Sequence, residues 1–248
     1  MMNGECTRQV QFCDFTFASP AENLACDEAL LDLCEEGHSP ELLRFWESPR
    51  HFVVLGYATK ASEEANLQAC SELAIPVLRR STGGGTVLQG PGCLNYSLVL
   101  SIEADGPCAS IPGTNQFILK KHQVALSKLL EVPVEIQGQT DLSINGFKFS
   151  GNAQRRRRKF LLFHGTFLLA LDFLLMEKVL PLPSRQPPYR ANRSHGEFLV
   201  NLQLDSSLLK ATMLECWQAE PQTAAPPLER IASLKIHKYD TELWNLKF

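Results

Sequence analysis

The chain has 248 residues, of which 44% are hydrophobic and 21% are charged, and its formal net charge is −3. This composition is ordinary for a soluble globular protein and excludes a disordered chain, which lacks the apolar surface that offsets its ordering entropy. The near-neutral charge argues against a general nucleic-acid-binding protein, and no apolar run reaches the ~18 residues that would span a membrane.

The first half of the chain is predicted to mix strands and helices. Residues 1–10 lack the apolar segment of a signal peptide, so they predict neither a signal nor a transit peptide. Short or alternating apolar runs predict strands at residues 9–15, 41–47, 51–56, 76–80 and 93–102, the second and third being paired. Apolar residues at helical spacing predict helices at residues 23–34, 61–73 and 115–130.

The second half is predicted to change from strands to helices. Residues 132–171 predict three or four strands, broken by the turn pair Asn145-Gly146 and by the basic run at 155–159. Residues 180–193 are rich in proline and predict a loop. Helices are predicted at residues 206–219, capped by Ser206 or Ser207, and at 228–236. We expect one α+β domain over residues 1–248, with a mixed, largely antiparallel sheet flanked by helices.

The eight cysteines are predicted to be reduced and mostly buried. The sequence has no CxxC motif and no Cys/His cluster with zinc-ligand spacing. Thiols in a chain of this length without a secretory signal usually stay reduced. We therefore expect a cytoplasmic protein that binds neither membrane nor nucleic acid.

The stretch RRSTGGGTV at residues 79–87 is the most informative part of the sequence. Three consecutive glycines after a strand let the backbone adopt positive φ and approach a ligand closely. Exposed amides in such a turn bind anions, and Arg79 and Arg80 add charged donors. The alternative is a tight turn or bulge without a ligand. The spacing matches neither a dinucleotide fingerprint nor a Walker loop.

Further motifs accompany this stretch in a fixed order. It is preceded by NLACDEAL at 23–30 and LRFWESPRHFVVLG at 43–56, and followed by GCLNYS at 92–97, Asp141-Leu142, GFKFSGNAQ at 146–154 and HGT at 164–166. Over residues 8–200 the chain thus resembles the lipoate–protein ligase and octanoyltransferase family. This resemblance implies a biotin/lipoate ligase-like catalytic domain, with a fold like that of class II aminoacyl-tRNA synthetases. Biotin ligation itself is disfavoured, because the alternating G-R-G-R loop of that branch is absent.

The resemblance also implies an activity and a site. The family attaches lipoate or octanoate to a lysine of lipoyl carrier domains, in the 2-oxoacid dehydrogenase acyltransferase subunit or the glycine cleavage H protein. Its ligases first form an acyl-adenylate from ATP. Lys148 corresponds to the catalytic lysine, which lowers the repulsion between carboxylate and α-phosphate. Asp141 corresponds to a position near Mg²⁺ and the adenylate. The other residues implied at the acyl-adenylate are Arg80, Ser81, Thr82, Gly83, Gly84, Gly85, Asn95, Ser150, Gly151, Ala153, His164, Gly165 and Thr166.

Simpler interpretations exist for several of these residues. Lys148 also fits a solvated strand lysine, and Asp141 also fits a turn. Asn95 also fits a hydrogen-bonded core residue, and a lone His164 is more often packed than catalytic, so we do not assign it as a base. Val53 and Leu88 fit either an acyl tunnel or the core.

Two positions depart from the family pattern. Gln89 stands where the family often has histidine, and Thr140 stands where its ligases often have asparagine. Each departure either weakens nucleotide binding or marks a subfamily.

The missing cysteine favours a ligase over a transferase. Octanoyltransferases of this superfamily use a cysteine nucleophile and no ATP. One branch carries it three residues before His-Gly, where this chain has Leu161; another carries it before the lysine strand, where residues 132–147 contain none. Cys93 lies close after the glycine turn, but a buried strand position fits it better. Transfer without ATP, and a non-catalytic protein that binds the acyl group or adenylate, stay as alternatives.

The basic run and the chain length bear on partners. Residues 155–159 fit a solvated hairpin tip, a docking patch for acidic carrier domains, or a nucleic-acid patch that the overall charge disfavours. Many ligases of the family carry a C-terminal accessory domain. We expect this domain to be absent here or supplied by another chain.

Overall fold

The computed structural model describes residues 10–221 and 225–248. Cys6 and Gln9, the first residue of the first predicted strand, lie outside the described residues. The strands are β1 (Val10–Asp14), β2 (Glu41–Trp46), β3 (Phe52–Leu55), β4 (Val77–Arg79), β5 (Val87–Gln89), β6 (Cys93–Ser101), β7 (Glu135–Gln137), β8 (Asp141–Ile144), β9 (Phe147–Arg156), β10 (Phe160–Leu168) and β11 (Glu220–Pro221). The α-helices are α1 (Pro20–Glu35), α2 (Ala61–Glu64), α3 (Leu67–Glu72), α4 (Ile111–Leu130), α5 (Phe173–Val179), α6 (His195–Phe198), α7 (Ser206–Trp217), α8 (Leu228–Leu234) and α9 (Glu242–Asn245).

Eight strands form the main sheet, in the order β11-β1-β2-β6-β10-β9-β8-β7. β1 runs parallel to β2 and β11, and the other pairs are antiparallel. The central strand β6 is buried at all residues but its last, as expected for a strand covered on both faces. The α+β fold with a mixed, largely antiparallel sheet is therefore confirmed.

Helices cover both faces of this sheet. Leu94, Tyr96, Leu98 and Leu100 alternate along β6 and pack in one core with α4 and α7. Val99 points to the opposite core, which contains most of α1 together with residues of α8 and the turn after it. Because α8 and the turn after it cover the side of α1 that faces away from the sheet, α1 is buried on nearly all sides.

A separate three-stranded sheet contains β4, β3 and β5, in that order. The predicted pairing of the second and third strands is wrong: β3 pairs with β4 and β5, whereas β2 lies between β1 and β6. Adjacent apolar runs favour a hairpin, but here the chain leaves one sheet and enters another. Val53 and Leu88 are buried in the core of this small sheet, which favours the packing interpretation.

Capping explains where the helices depart from the predicted bounds. The predicted helix at 61–73 is two helices, because Asn66 starts α3 by accepting a hydrogen bond from the Ala69 amide. α4 starts four residues early, where Ser110 accepts from Gly113. Asp205, rather than Ser206 or Ser207, caps α7. The sequence does not predict the short elements β5, β11, α5, α6 and α9. Within the described ranges, no helix is long and apolar enough to cross a membrane.

Candidate active site

The glycine turn (residues 80–86) connects β4 to β5 and exposes its three glycines. Gly84 has φ +92°, and a Cβ there would lie 2.8 Å from an Arg80 guanidinium nitrogen, so only glycine fits. Arg80 is buried beneath the turn, where its Nη2 donates to the carbonyls of Gly83 (2.6 Å) and Gly85 (2.8 Å). Burial lowers the pKa of Arg80 to about 10, which leaves it charged at neutral pH. Arg80 therefore shapes the turn from inside and leaves the exposed glycine backbone to face a ligand.

A chain of buried polar side chains supports the turn from the main sheet. The Thr82 hydroxyl accepts from Arg80 Nε (2.9 Å) and lies 2.7 Å from His164 Nε2. On its other side, His164 Nδ1 lies 3.5 Å from Asp27, which forms a 2.6 Å ion pair with Arg44. Because an ionised carboxylate can only accept, Asp27 favours a ring proton on His164 Nδ1, which in the neutral ring leaves Nε2 to accept from the Thr82 hydroxyl. His164 thus lies in a structural chain, in keeping with not being assigned as a base.

Asp27, at the end of this series of polar side chains, is held in its ionised form. Burial alone would raise the pKa of Asp27, but the Arg44 guanidinium and His164 outweigh it and hold the pKa below its usual value. Asp27 is therefore an anion that orients His164. Asp27 and Arg44 lie in the NLACDEAL and LRFWESPRHFVVLG motifs, but nothing in those motifs indicated that the two residues meet under the glycine turn.

Gln89, Asn95 and Thr166 form a closed ring of hydrogen bonds beside the turn. Asn95 Nδ2 donates to Gln89 Oε1 (2.9 Å), Gln89 Nε2 donates to Thr166 Oγ1 (2.6 Å), and the Thr166 hydroxyl donates to Asn95 Oδ1 (2.6 Å). Gln89, which replaces the usual histidine, is thus integrated with two predicted site residues. The ring gives each member partners without a ligand.

Lys148 lies at a bulge between β8 and β9. Its Nζ forms a 2.8 Å ion pair with Asp141 Oδ1, and the hydroxyl of Tyr189 donates to Asp141 Oδ2 (2.7 Å). A Cβ on Gly151 would lie 2.8 Å from Lys148 Nζ, so the glycine leaves room for the lysine over the strand. Neither Lys148 nor Asp141 is a fully solvated residue. Tyr189, in the proline-rich segment, was missed because no spacing rule connects it to Asp141.

Thr140 lies next to Asp141 and forms a reciprocal pair with Asn152. Its hydroxyl donates to the Asn152 carbonyl (2.7 Å), and Asn152 Nδ2 donates to the Thr140 carbonyl (2.6 Å). Tyr96 completes the cluster by donating to Asn152 Oδ1 (2.5 Å). The Thr140 hydroxyl and the Asn152 amide therefore join the residue before β8 to β9, next to the pair formed by Asp141 and Gly151.

The structure brings most of the predicted residues to one face of the main sheet. A Cβ on Gly84 would lie 3.8 Å from that of Ala153, and Ala153 is the register partner of His164. Ser150 and Gly165 instead belong to the face packed against α4: Ser150 pairs with the core residue Phe167, and a Cβ on Gly165 would collide with Asn152. The last of the predicted set, Ser81, is buried, and its side chain interacts with that of Tyr239.

Arg79 does not join the anion-binding surface. Its side chain is fully buried, and its guanidinium donates to backbone carbonyls of residues 56–59 and 244–245. The expectation that Arg79 adds a donor for an anion is therefore wrong. Arg79 instead joins the start of the turn to two other segments of the chain.

The residues fit an anionic ligand better than a resident metal. The exposed glycine turn and the partly exposed Lys148 ammonium supply donors for an anion. Both carboxylate oxygens of Asp141 already have partners, and the described residues include no group of three or more His, Cys, Asp or Glu that could hold a metal ion. Mg²⁺ usually binds through substrate phosphates and waters with one or two carboxylates, so a role for Asp141 as its ligand stays a prediction.

The cysteines of the described ranges do not form a nucleophile. All seven are free thiols, and six of them are buried. Burial raises the pKa of Cys93, which lies close after the glycine turn, to about 12, so that it carries no thiolate at neutral pH. Leu161 occupies the other candidate position and is itself a core residue.

Much of the basic run at residues 155–159 interacts with acidic residues of α1. Arg155 forms a 3.0 Å ion pair with Glu28, and Arg157 forms a 2.7 Å ion pair with Asp32. The Glu35 carboxylate accepts from the main-chain amides of residues 158–160. The interpretation as a merely solvated hairpin tip is therefore wrong for Arg155 and Arg157, and the docking patch stays a prediction.

Comparison with known proteins identifies the family. The model of the lipoyl protein ligase A/B catalytic domain matches residues 19–210. The chain belongs to this family. Octanoyltransferase LipM of Carboxydothermus hydrogenoformans is 32% identical over 205 residues, which cover 77% of this chain and 75% of that protein.

Solved structures of this family share the fold. A bi-partite lipoate protein ligase from Thermoplasma acidophilum matches with a TM-score of 0.80 and 22% identity, over 96% of each chain. A lipoate-protein ligase A bound with ATP matches with the same TM-score and identity, over 96% of this chain and 98% of that one. The predicted family and fold are confirmed. Because the family contains both ligases and octanoyltransferases, membership places the chain among enzymes of lipoyl and octanoyl transfer without choosing the reaction.

Proposed function

We propose that this chain is an ATP-dependent ligase that attaches lipoate or octanoate to a specific lysine of lipoyl carrier domains. The observation that carries the proposal is the combination of a held Lys148 with no usable thiol among the described cysteines. A transferase needs an activated cysteine to hold the acyl group, whereas a ligase needs donors between two anions.

The proposed reaction has two balanced steps. A carboxylate oxygen of the acyl acid attacks the α-phosphorus of ATP, and the bond to pyrophosphate breaks as the acyl-adenylate forms. The uncharged amine of the carrier lysine then attacks the acyl carbon, AMP leaves, and the amine loses a proton as the amide forms. Lys148 and the glycine-turn amides lower the repulsion in the first step and stabilise the negative charge that develops in the second.

The surrounding residues orient these donors. Asp141 and Tyr189 restrict the Lys148 ammonium, and the chain from Asp27 to Arg80 fixes the turn. Mg²⁺, when bound, would neutralise phosphate charge, with Asp141 as the predicted carboxylate near it.

The partners of this reaction are apo lipoyl carrier domains. The Thermoplasma ligase of similar fold was solved in a study of that enzyme and its E2 lipoyl domain, which supports a lipoyl domain as acceptor. We propose that residues 1–248 form a single catalytic domain. A cytoplasmic location belongs to the same proposal, since reduced thiols are kept in a reducing compartment.

The test is acylation of an apo carrier domain by the purified protein. The protein is incubated with ATP, Mg²⁺, octanoate or lipoate and the carrier, and intact mass spectrometry follows the carrier. An acylated carrier that requires ATP supports the ligase, and release of pyrophosphate without a carrier identifies the first step. No adenylate and no acyl-carrier product, with and without an added accessory protein of the family, would overturn it.

The second candidate is an ATP-independent octanoyl or lipoyl transferase. The observation that favours it is the 32% identity to octanoyltransferase LipM of Carboxydothermus hydrogenoformans. An octanoylated carrier offered as donor, with a second apo carrier and no ATP, separates the two activities. Transfer under these conditions would establish the transferase, and a Cys93→Ala variant would then show whether that thiol takes part.

A further inference from the structure

A segment beyond the matched family domain contacts the start of the glycine turn. The family model ends at residue 210, whereas residues 238–248, here called the bracing segment, lie well past it. This segment includes the end of a π-helical turn (Lys235–Tyr239) and the short helix α9. Its contacts with the turn thus lie outside the residues that the family model matches.

The bracing segment completes the main-chain hydrogen bonds of Arg79. The Arg79 amide donates to Asn245 Oδ1 (2.9 Å), and the indole Nε1 of Trp244 donates to the Arg79 carbonyl (2.8 Å). β4 is an edge strand, so its outer polar groups lack a neighbouring strand. Trp244 and Asn245 take the place of that strand at the last residue before the turn.

The same segment also holds the Arg79 side chain. Arg79 Nε donates to the main-chain carbonyls of Trp244 (3.1 Å) and Asn245 (3.2 Å). From the other side, Arg79 Nη1 donates to the carbonyls of Gly56 (2.7 Å) and Thr59 (2.8 Å). A Cβ on Gly56 would lie 1.9 Å from the Gly84 carbonyl, so the 56–59 loop is itself in contact with the turn.

A second connection runs through the buried acid Glu28. Glu28 accepts from Lys238 Nζ (2.6 Å) and from the Tyr239 hydroxyl (2.6 Å). The Tyr239 side chain also interacts with that of Ser81, the second residue of the turn. The bracing segment thus contacts Arg79, the last residue of β4, through main-chain hydrogen bonds, and Ser81, the second residue of the turn, through a side chain.

We infer that the bracing segment is a positioning element for the glycine turn, acting through Arg79 and Ser81 without touching substrate. A turn that binds an anion through backbone amides needs those amides fixed before the ligand arrives. Loss of the bracing contacts would leave the turn free to fluctuate, which weakens binding of the acyl group or its adenylate. This consequence for ligand binding rests on the proposed function, whereas the ordering of the turn does not.

The test compares three variants by hydrogen–deuterium exchange of the peptide covering residues 80–86. Trp244→Phe keeps an aromatic ring but removes the indole donor, and Asn245→Ala removes the acceptor for the Arg79 amide. Leu243→Ala is the matched control, since Leu243 belongs to the same helix and its side chain is 87% exposed. We expect exchange in 80–86 to accelerate in the first two variants, by about fivefold for each net hydrogen bond lost, and to be unchanged in the control.

The ligand arm uses octanoyl sulfamoyl adenosine, a non-hydrolysable mimic of the adenylate. Its Kd, measured by calorimetry, should rise by about five- to 25-fold in Trp244→Phe and Asn245→Ala, as expected for a turn that has lost one or two net hydrogen bonds of support. Where the wild type gives acyl-carrier product, KM for the acyl acid should rise with kcat unchanged. Faster exchange confined to residues 238–248, with 80–86 as in the wild type, would overturn the inference. Faster exchange in 80–86 with no binding of the mimic by the wild type would instead overturn the proposed function.

Discussion

The glycine turn and the Lys148 region are held in place by charges of different burial. The turn rests on the ion pair of Arg44 with Asp27, whose side chains are 0% and 4% exposed. Lys148 and Asp141 also form an ion pair, but their side chains are 24% and 13% exposed. A fully buried charge that loses its partner has no water to replace it, whereas a partly exposed charge is rehydrated. We therefore expect substitutions of the ion pair under the turn to lower stability, and substitutions in the Lys148 region to lower the catalytic rate.

The largest expected effect comes from breaking the buried pair under the turn. Asp27→Ala leaves the Arg44 guanidinium without its counter-ion and should lower the free energy of unfolding by about 3–5 kcal/mol. Urea denaturation followed by circular dichroism measures it. Asp32→Ala is the matched control on the same helix, since it removes only a half-exposed partner of Arg157. An equal loss of unfolding free energy in Asp27→Ala and Asp32→Ala would contradict the expectation that the buried pair contributes more to stability than a partly exposed one.

The same residue gives a pH dependence with a defined sign. Its folded-state pKa lies below the unfolded value of about 3.9, because Arg44 and His164 outweigh the effect of burial. The stabilisation by the ionised carboxylate is therefore fully present above that unfolded value and is lost as the pH falls through the folded-state pKa. Wild-type stability should fall in this acid range more steeply than that of Asp27→Asn, as measured by urea midpoints from pH 6 to pH 2. Parallel curves would exclude this role for Asp27.

Lys148→Ala tests the opposite region. Removal of one preorganised charged donor should lower kcat for adenylate formation by about 10²–10³-fold, with little change in the urea midpoint. Pyrophosphate release measures the first step, and Lys128→Ala, on the exposed side of α4, serves as control. Unchanged acylation of the carrier by Lys148→Ala would remove this residue from the catalytic role.

Tyr189→Phe gives a smaller effect in the Lys148 region. It deletes the hydroxyl that donates to Asp141 Oδ2 while preserving the ring against Phe198. A hydrogen bond to a charged group contributes about 1.5–3 kcal/mol, so adenylate formation should slow by about tenfold or more if Asp141 orients Lys148. Tyr57→Phe, which removes the hydroxyl of a half-exposed ring, is the control. Equal rates for the two variants would show that Lys148 does not depend on Asp141 and Tyr189 for its position.

The sequence predicts these two regions unequally well. Local motifs located the glycine turn, Lys148 and Asp141, because their glycines and charges lie close together along the chain. Asp27 lies at least 53 residues before the turn that it supports, and Tyr189 lies 48 residues after Asp141, so only the folded sheet brings these partners together. The arrangement of β2 and β3 was mispredicted for the same reason, since pairing between strands is a tertiary property. Bracing by Trp244 and Asn245 has no sequence signature at all.

The smallest expected effect separates structural from docking roles of the basic run. Arg157 pairs with Asp32 at a half-exposed site, so Arg157→Ala should change stability by only about 0.2–1 kcal/mol. If the run also steers acidic carrier domains, the same variant should raise KM for the carrier, more so at low salt, because long-range attraction is screened by ions. Carrier KM measured at two ionic strengths decides between these roles, with Lys128→Ala as a control for net charge. A carrier KM that matches the control at both ionic strengths would limit the run to joining the β9–β10 hairpin to α1, and the carrier would then have to be recognised nearer to Lys148 itself.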